Sequence, residues 1–164
     1  MFGKALKLFP DQTNRQLLFV IWAIAFLGLV PATATPQKAG SETQPPFSAY
    51  KGVQIGMPVV EARKKLGTPK DKGDDQDFYL INDNQAVQIF YDKEKTVNAI
   101  SIDFMNGATQ IPAGKDILGS EPEAKADGSA YKLVRYPKAG YWVSYSRTAG
   151  KDPTITITMQ KIDR

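Results

Sequence analysis

The strongest constraint on this chain is a period of two. Val87, Ile89 and Tyr91 alternate with Gln88 and Phe90, and Ile100, Ile102 and Phe104 alternate with Ser101 and Asp103. The pattern returns at Tyr141, Val143 and Tyr145, and again at Ile155, Ile157 and Met159. Successive side chains of a strand point to opposite faces, so each run makes a strand with one apolar and one mixed face. The links "NDNQ" and "DKEKT" suit antiparallel hairpins and are too short for a parallel crossover.

An apolar sheet face needs a cover, and "GMPVVEARKKLGTP", Gly56 to Pro69, reads as a short helix with its punctuation attached. Pro58 suits the first turn, where a missing N–H costs nothing. Glu61 lies near the positive end of the helix, and Lys64 and Lys65 near the negative end. Gly67 supplies a left-handed cap and Pro69 forbids continuation. Val59, Ala62, Arg63 and Leu66 recur at helical spacing, a narrow stripe that must lie against something. A second helix is expected in "QIPAGKDILG", limited by Gly114 to one or two turns.

The two halves of the chain align. Leu66-Gly67 falls on Leu118-Gly119, Tyr79 on Tyr131, Val87, Ile89 and Tyr91 on Tyr141, Val143 and Tyr145, and Ile100, Ile102 and Phe104 on Ile155, Ile157 and Met159. The alignment predicts an α+β fold of two helix-plus-antiparallel-meander repeats, about 50–106 and about 107–164, with helices packed on one face of a shared sheet.

Residues 1–34 have the order of a secretory signal peptide: Lys4, Lys7 and Arg15, the apolar run Leu17 to Val30, then Pro31 and the small residues Ala32 to Ala34. The run is shorter than the roughly 20 residues of a membrane-spanning helix. Cleavage after Ala34 is expected, giving an exported protein of the periplasm or extracellular space; the alternative is an anchor formed by uncleaved Leu17 to Val30. Residues 35–46, polar and proline-rich, read as a flexible tether, and 47–164 as the folded domain.

The chain has no cysteine and no histidine, which excludes disulfides, thiol nucleophiles, imidazole bases and zinc sites of the usual kind. The net charge of +4 falls to +2 once Lys4, Lys7, Arg15 and Asp11 of the N-terminal segment are set aside, too mild to argue for nucleic acid. The acidic loop "DKGDDQD", Asp71 to Asp77, lacks the ligand spacing of an EF-hand. Asp74 and Asp75 sit in a hydrophilic loop that offers nothing to tune a pKa. No catalytic residue, metal or cofactor is assigned, and a non-enzymatic role is expected. The candidates for partner binding are Phe90 and Trp142 on the mixed sheet face, with Lys132, Arg135, Tyr136 and Lys138 as a basic, aromatic rim able to meet an acidic protein loop or anionic headgroups.

Gly56-Met57, the helix with Glu61, Leu66-Gly67-Thr68-Pro69 and the downstream pair Phe78-Tyr79 resemble the outer-membrane assembly lipoprotein family called SmpA, OmlA or BamE. The resemblance covers about residues 52–104, and Gly56, Met57, Leu66, Gly67 and Pro69 are its structural motif. Two departures stand out: the family's lipid-bearing cysteine is absent, and Pro58 replaces a usual Ser or Thr. The resemblance implies an envelope accessory or scaffold that binds an envelope protein partner in outer-membrane assembly, with peripheral membrane contact. A tandem of such units is similar to the β-lactamase inhibitory protein fold, which implies instead a secreted binder of a soluble enzyme. A carboxylate-based enzyme is the remaining alternative.

Overall fold

The helix α1, Val59–Leu66, is held at both ends by backbone contacts. Pro58 precedes it in an extended conformation, and its carbonyl accepts from Glu61 N and Ala62 N, each at 3.0 Å. Val59 N, which a helix start leaves orphaned, donates to Lys95 O at 3.0 Å. Gly67 ends the helix at φ 85°, its N–H bonding Arg63 O at 2.8 Å. This computed structural model describes residues 44–105 and 107–162. The segment read as a signal peptide, 1–34, and residues 35–43 of the tether lie outside the described residues.

Seven strands follow in one antiparallel sheet: β1 Asp71–Lys72, β2 Gln76–Asn82, β3 Gln85–Tyr91, β4 Val97–Phe104, β5 Ala130–Tyr136, β6 Tyr141–Arg147 and β7 Ile155–Lys161. A second helix, α2, Gly114–Leu118, lies between β4 and β5. The spatial order is β1-β2-β3-β4-β7-β6-β5, so two meanders meet where β4 pairs with β7.

Register turns the sequence alternation into rows that cross the sheet. One row runs Asp77, Ile89, Ile100, Met159, Val143, Val134, and the next Tyr79, Val87, Ile102, Ile157, Tyr145, Lys132. Their centres are fully closed to water: Ile89, Ile100, Met159, Val143, Val87 and Ile157 are at 0 % exposure. Burying each such side chain contributes about 1.5–3 kcal/mol, so these rows are the core.

The expected α+β layout of two helix-plus-meander repeats is not what the chain adopts. The described residues form predominantly a seven-stranded antiparallel sheet with two short helices of 8 and 5 residues. Neither helix is large enough to form a layer, because Pro58, Gly67 and Pro69 confine α1 while Glu61, Lys64 and Lys65 keep it at the surface; only Ala62 is fully buried. Much of the cover comes instead from non-helical chain, where Tyr50 and Val53 join the core and Phe47, Ile55 and Met57 pack on it. The aligned pair Tyr79 and Tyr131 also lands on opposite faces: Tyr79 pairs with Val87 in the core, whereas Tyr131 pairs with Ser146 outside it and is 61 % exposed.

The helix α2 ends at Gly119, which takes the left-handed conformation at φ 77°. At its start the glycine has a steric cause: a Cβ on Gly114 would collide with Pro122 Cδ and stand 2.8 Å from Pro122 Cγ. Gly114→Ala is therefore expected to lower the unfolding free energy by about 1–3 kcal/mol through overpacking, read from the urea midpoint. Unchanged or raised stability, as Ala's helix preference of about 1 kcal/mol alone would give, would show that the contact does not matter.

Candidate functional site

The acidic loop divides into two environments. Asp74 and Asp75 are exposed; the Asp75 carboxylate stands a loose 3.8 Å from Lys95 Nζ, while its carbonyl accepts from Tyr91 N at 2.8 Å. Asp77 turns inward to full burial, because it shares the core side of β2 with Tyr79. Arg63 reaches down from α1 and grips its carboxylate with both arms, Nε to Oδ2 at 2.8 Å and Nη2 to Oδ1 at 2.9 Å. Tyr91 donates to Oδ2 at 2.6 Å, Tyr79 at 3.4 Å, and Gly73 N to Oδ1 at 3.3 Å. Arg63 also bonds Gly73 O at 2.9 Å and lies 5.7 Å above the Tyr91 ring.

Burial alone would push the Asp77 carboxyl up. The hydrogen bonds from Arg63 and Tyr91, the Arg63 charge and Gly73 N–H outweigh it and hold the group below the usual carboxylate range. Burial and the neighbouring carboxylate push the Tyr79 hydroxyl up to about 12, and Tyr91 is raised by the same causes. Every oxygen of Asp77 is thus occupied by a protein donor, and the cluster works as a pin between α1, the turn at Gly73, β2 and β3.

The opposite face of the sheet has a different character. Its rows are Gln76, Phe90, Ala99, Gln160, Trp142, Arg135, then Phe78, Gln88, Ser101, Thr158, Ser144, Leu133, then Leu80, Ala86, Asp103, Thr156, Ser146, Tyr131. None of these residues belongs to the core cluster or packs against it. The middle is small and polar: Thr156 Oγ1 donates to Asp103 Oδ1 at 2.7 Å, and the Ser101 and Thr158 hydroxyls approach at 3.5 Å. Ala86, Ala99 and Ser144 are each only 7 % exposed, screened by larger neighbours.

Phe90 and Trp142 stand in one row of this face, half-buried, with Ala99 and Gln160 between them. Three strand spacings separate them, about 14 Å. Between them the row forms one continuous strip of this face, with Ala99 and Gln160 as its middle residues. Lys132 and Tyr136 are not part of it. Both lie on the core side of β5; Lys132 Nζ is drawn to Ser120 Oγ at 2.6 Å, and Tyr136 is 8 % exposed with its ring 6.1 Å from that of Tyr141. Among the motif residues, Gly67 caps α1 and Leu66 and Met57 pack on the core. Sequence reasoning missed Asp77 as a buried group, although Arg63 on the apolar helix stripe and Asp77 in register with Tyr79 both signalled it.

A shallow cleft of about 450 Å³ lies where Leu66, Thr68 and Lys70 meet Tyr79, Leu80 and Ile81. Among the described residues no group of three His, Cys, Asp or Glu is arranged to hold a metal ion, and no helix is long and apolar enough to cross a membrane. Compared with protein-family models, with curated proteins and with solved structures, the chain matches none.

The pinned carboxylate makes stability depend on pH. A depressed Asp77 pKa stabilises the fold above the unfolded carboxylate value of about 4 and ceases to do so as pH falls through the folded value. The raised Tyr79 and Tyr91 act at the other end: their contribution is complete below about 10 and falls away above it, for Tyr79 as pH rises through about 12. Asp77→Asn is expected to cost about 3 kcal/mol at neutral pH by stranding Arg63, Tyr79 and Tyr91. The gap from wild type should close on acidification. Urea unfolding from acid to alkaline pH measures this, and a gap independent of pH would refute the assignment.

Proposed function

We propose that this chain is an exported, non-enzymatic binding protein that holds an envelope protein partner on the open face of its sheet, in the accessory or scaffold role that the BamE-like motif implies. The observation that carries the reading is the placement of Phe90 and Trp142 in one transverse row. Large aromatic side chains left outside a core and set around a screened, polar floor are the usual anchors of a protein interface. The floor favours an extended segment or loop: Gln88, Ser101, Thr158 and Gln160, all partly exposed, offer hydrogen bonds along its length. Arg135, at one end of the aromatic row, suits an acidic residue on the partner.

The test is capture of envelope proteins by the immobilised chain, followed by calorimetric titration of the captured partner, a readout that does not depend on Trp142. Phe90→Ala and Trp142→Ala are each expected to weaken binding by about 2 kcal/mol, roughly thirtyfold, while leaving the urea midpoint within about 0.5 kcal/mol of wild type. Capture of a soluble enzyme in place of an envelope component would select the inhibitor-like form of the reading. Equal affinity of wild type and the Phe90→Ala, Trp142→Ala double variant would overturn the reading altogether.

A further inference from the structure

The two edges of the sheet are finished differently. One ends in β1, two charged residues that cover only Phe78 and Asp77 of β2. The other ends in β5, seven residues with no strand outside it among the described residues. Short, charged edges resist pairing with another chain, and long regular ones invite it.

Backbone geometry fixes what β5 presents outward. Lys125 N donates to Ser129 O on the outer side, where Ala124 bridges Ala130, and Gly140 N donates to Tyr136 O on the β6 side. Alternate residues of a strand bond to the same side, so Tyr131, Leu133 and Arg135 direct their N–H and C=O groups away from the sheet. The bridge from Ala124 stops at Ala130. Lys132, the residue best placed to fend off a neighbour, has its ammonium drawn back to Ser120.

We propose that β5 pairs antiparallel with β5 of a second copy of this chain about a two-fold axis at Leu133, joining two sheets into one. The axis stands perpendicular to the sheet, so residues that face each other across it come from the same face. Leu133 then meets its own counterpart. Tyr131, 61 % exposed, meets Arg135 of the second copy on each side of the axis, ring against guanidinium. On the core side Lys132 meets Val134. No like charges are opposed in this register, whereas axes at Lys132 or Arg135 would set Lys against Lys or Arg against Arg. The outward groups of Leu133 and Arg135, with the C=O of Tyr131, supply about four main-chain hydrogen bonds, the Tyr131 N–H being turned to the segment that bridges at Ala124. Both open faces come to lie on the same side of the joined sheet, but the pairing is independent of any partner bound there.

The chain as processed by the expressing cell is expected to show a concentration-dependent monomer–dimer equilibrium in analytical ultracentrifugation. Leu133→Pro removes an outward N–H that β6 does not use, and Leu133→Glu sets two carboxylates face to face. Each is expected to raise the dimer dissociation constant roughly tenfold or more without lowering the urea midpoint appreciably. Val134→Pro removes a bond to β6 and is expected to destabilise the monomer itself. Because the chain has no cysteine of its own, Leu133→Cys reports the register: mild oxidation should link it to its counterpart, with Cα atoms about 5.5 Å apart. Tyr131→Cys mixed with Arg135→Cys should link to each other in preference to themselves. A wild type that stays monomeric at all concentrations overturns the proposal. So does a Leu133→Glu variant that dimerises as wild type does, or a Lys72→Cys variant that links while Leu133→Cys does not.

Discussion

A carboxylate shut away from water must be answered by donors on every side, and in this protein that requirement organises half of the fold. Asp77 is fully buried, and its two oxygens draw in Arg63 from α1, Gly73 from the turn before β2, and the hydroxyls of Tyr79 and Tyr91. An eight-residue helix that buries only Ala62 completely has little apolar area to hold it in place. The forked guanidinium supplies the missing specificity, because it fits a carboxylate in one orientation only. The helix in turn is tied to the turn between β3 and β4 through Val59 and Lys95, so the charge pair fixes the position of backbone well beyond its own residues.

The sheet applies one alternating pattern to two purposes. On the side carrying Ile89, Ile100, Ile157 and Met159 the side chains are large, branched and dry. On the other side the central strands carry Ser101, Asp103, Thr156 and Thr158, short enough to lie flat and polar enough to stand in water without a second layer. Larger apolar groups appear only toward its ends and edges, at Phe90, Trp142, Phe78, Leu133 and Tyr131. Such a face can meet water and still sets Phe90 and Trp142 at a fixed spacing, as the proposed binding role requires. Their positions are held by the core behind them, since Phe90 lies between buried Ile89 and Tyr91, and Trp142 between buried Tyr141 and Val143.

The period-two runs were legible because they are local: Val87 to Tyr91, Ile100 to Phe104 and Tyr141 to Tyr145 bury the residues that alternation assigned to the apolar side. The placement of Phe90 and Trp142 on the opposite side follows from the same rule, but their sharing a single row does not. That depends on the pairing of β4 with β7, a contact between residues more than fifty positions apart. The layered helix arrangement was misread because caps and spacing define where a helix starts and stops, not how much sheet it can cover. The aligned tyrosines show the limit of comparing the two halves, since a shift of one residue carries Tyr131 to the opposite face from Tyr79. Tyr136, taken for a surface group from its basic neighbours, is internal because β5 begins at Ala130 and so turns its even-numbered residues inward.

The seam between β4 and β7 governs the order in which the molecule can come together. β7 comes last among the strands along the chain, yet it occupies the interior of the sheet, flanked by β4 and β6. Before it arrives, β4 has a bare edge, Ile100 and Ile102 lack their neighbours Met159 and Ile157, and β5 and β6 form a hairpin attached to nothing. A chain assembling from its N-terminal side therefore accumulates two incomplete meanders. Each meander is built from local pairings that form readily, and both wait for one distant segment to close the gap. The final strand acts as a latch, and a chain that has not yet engaged it remains open and extensible through the middle of its own sheet.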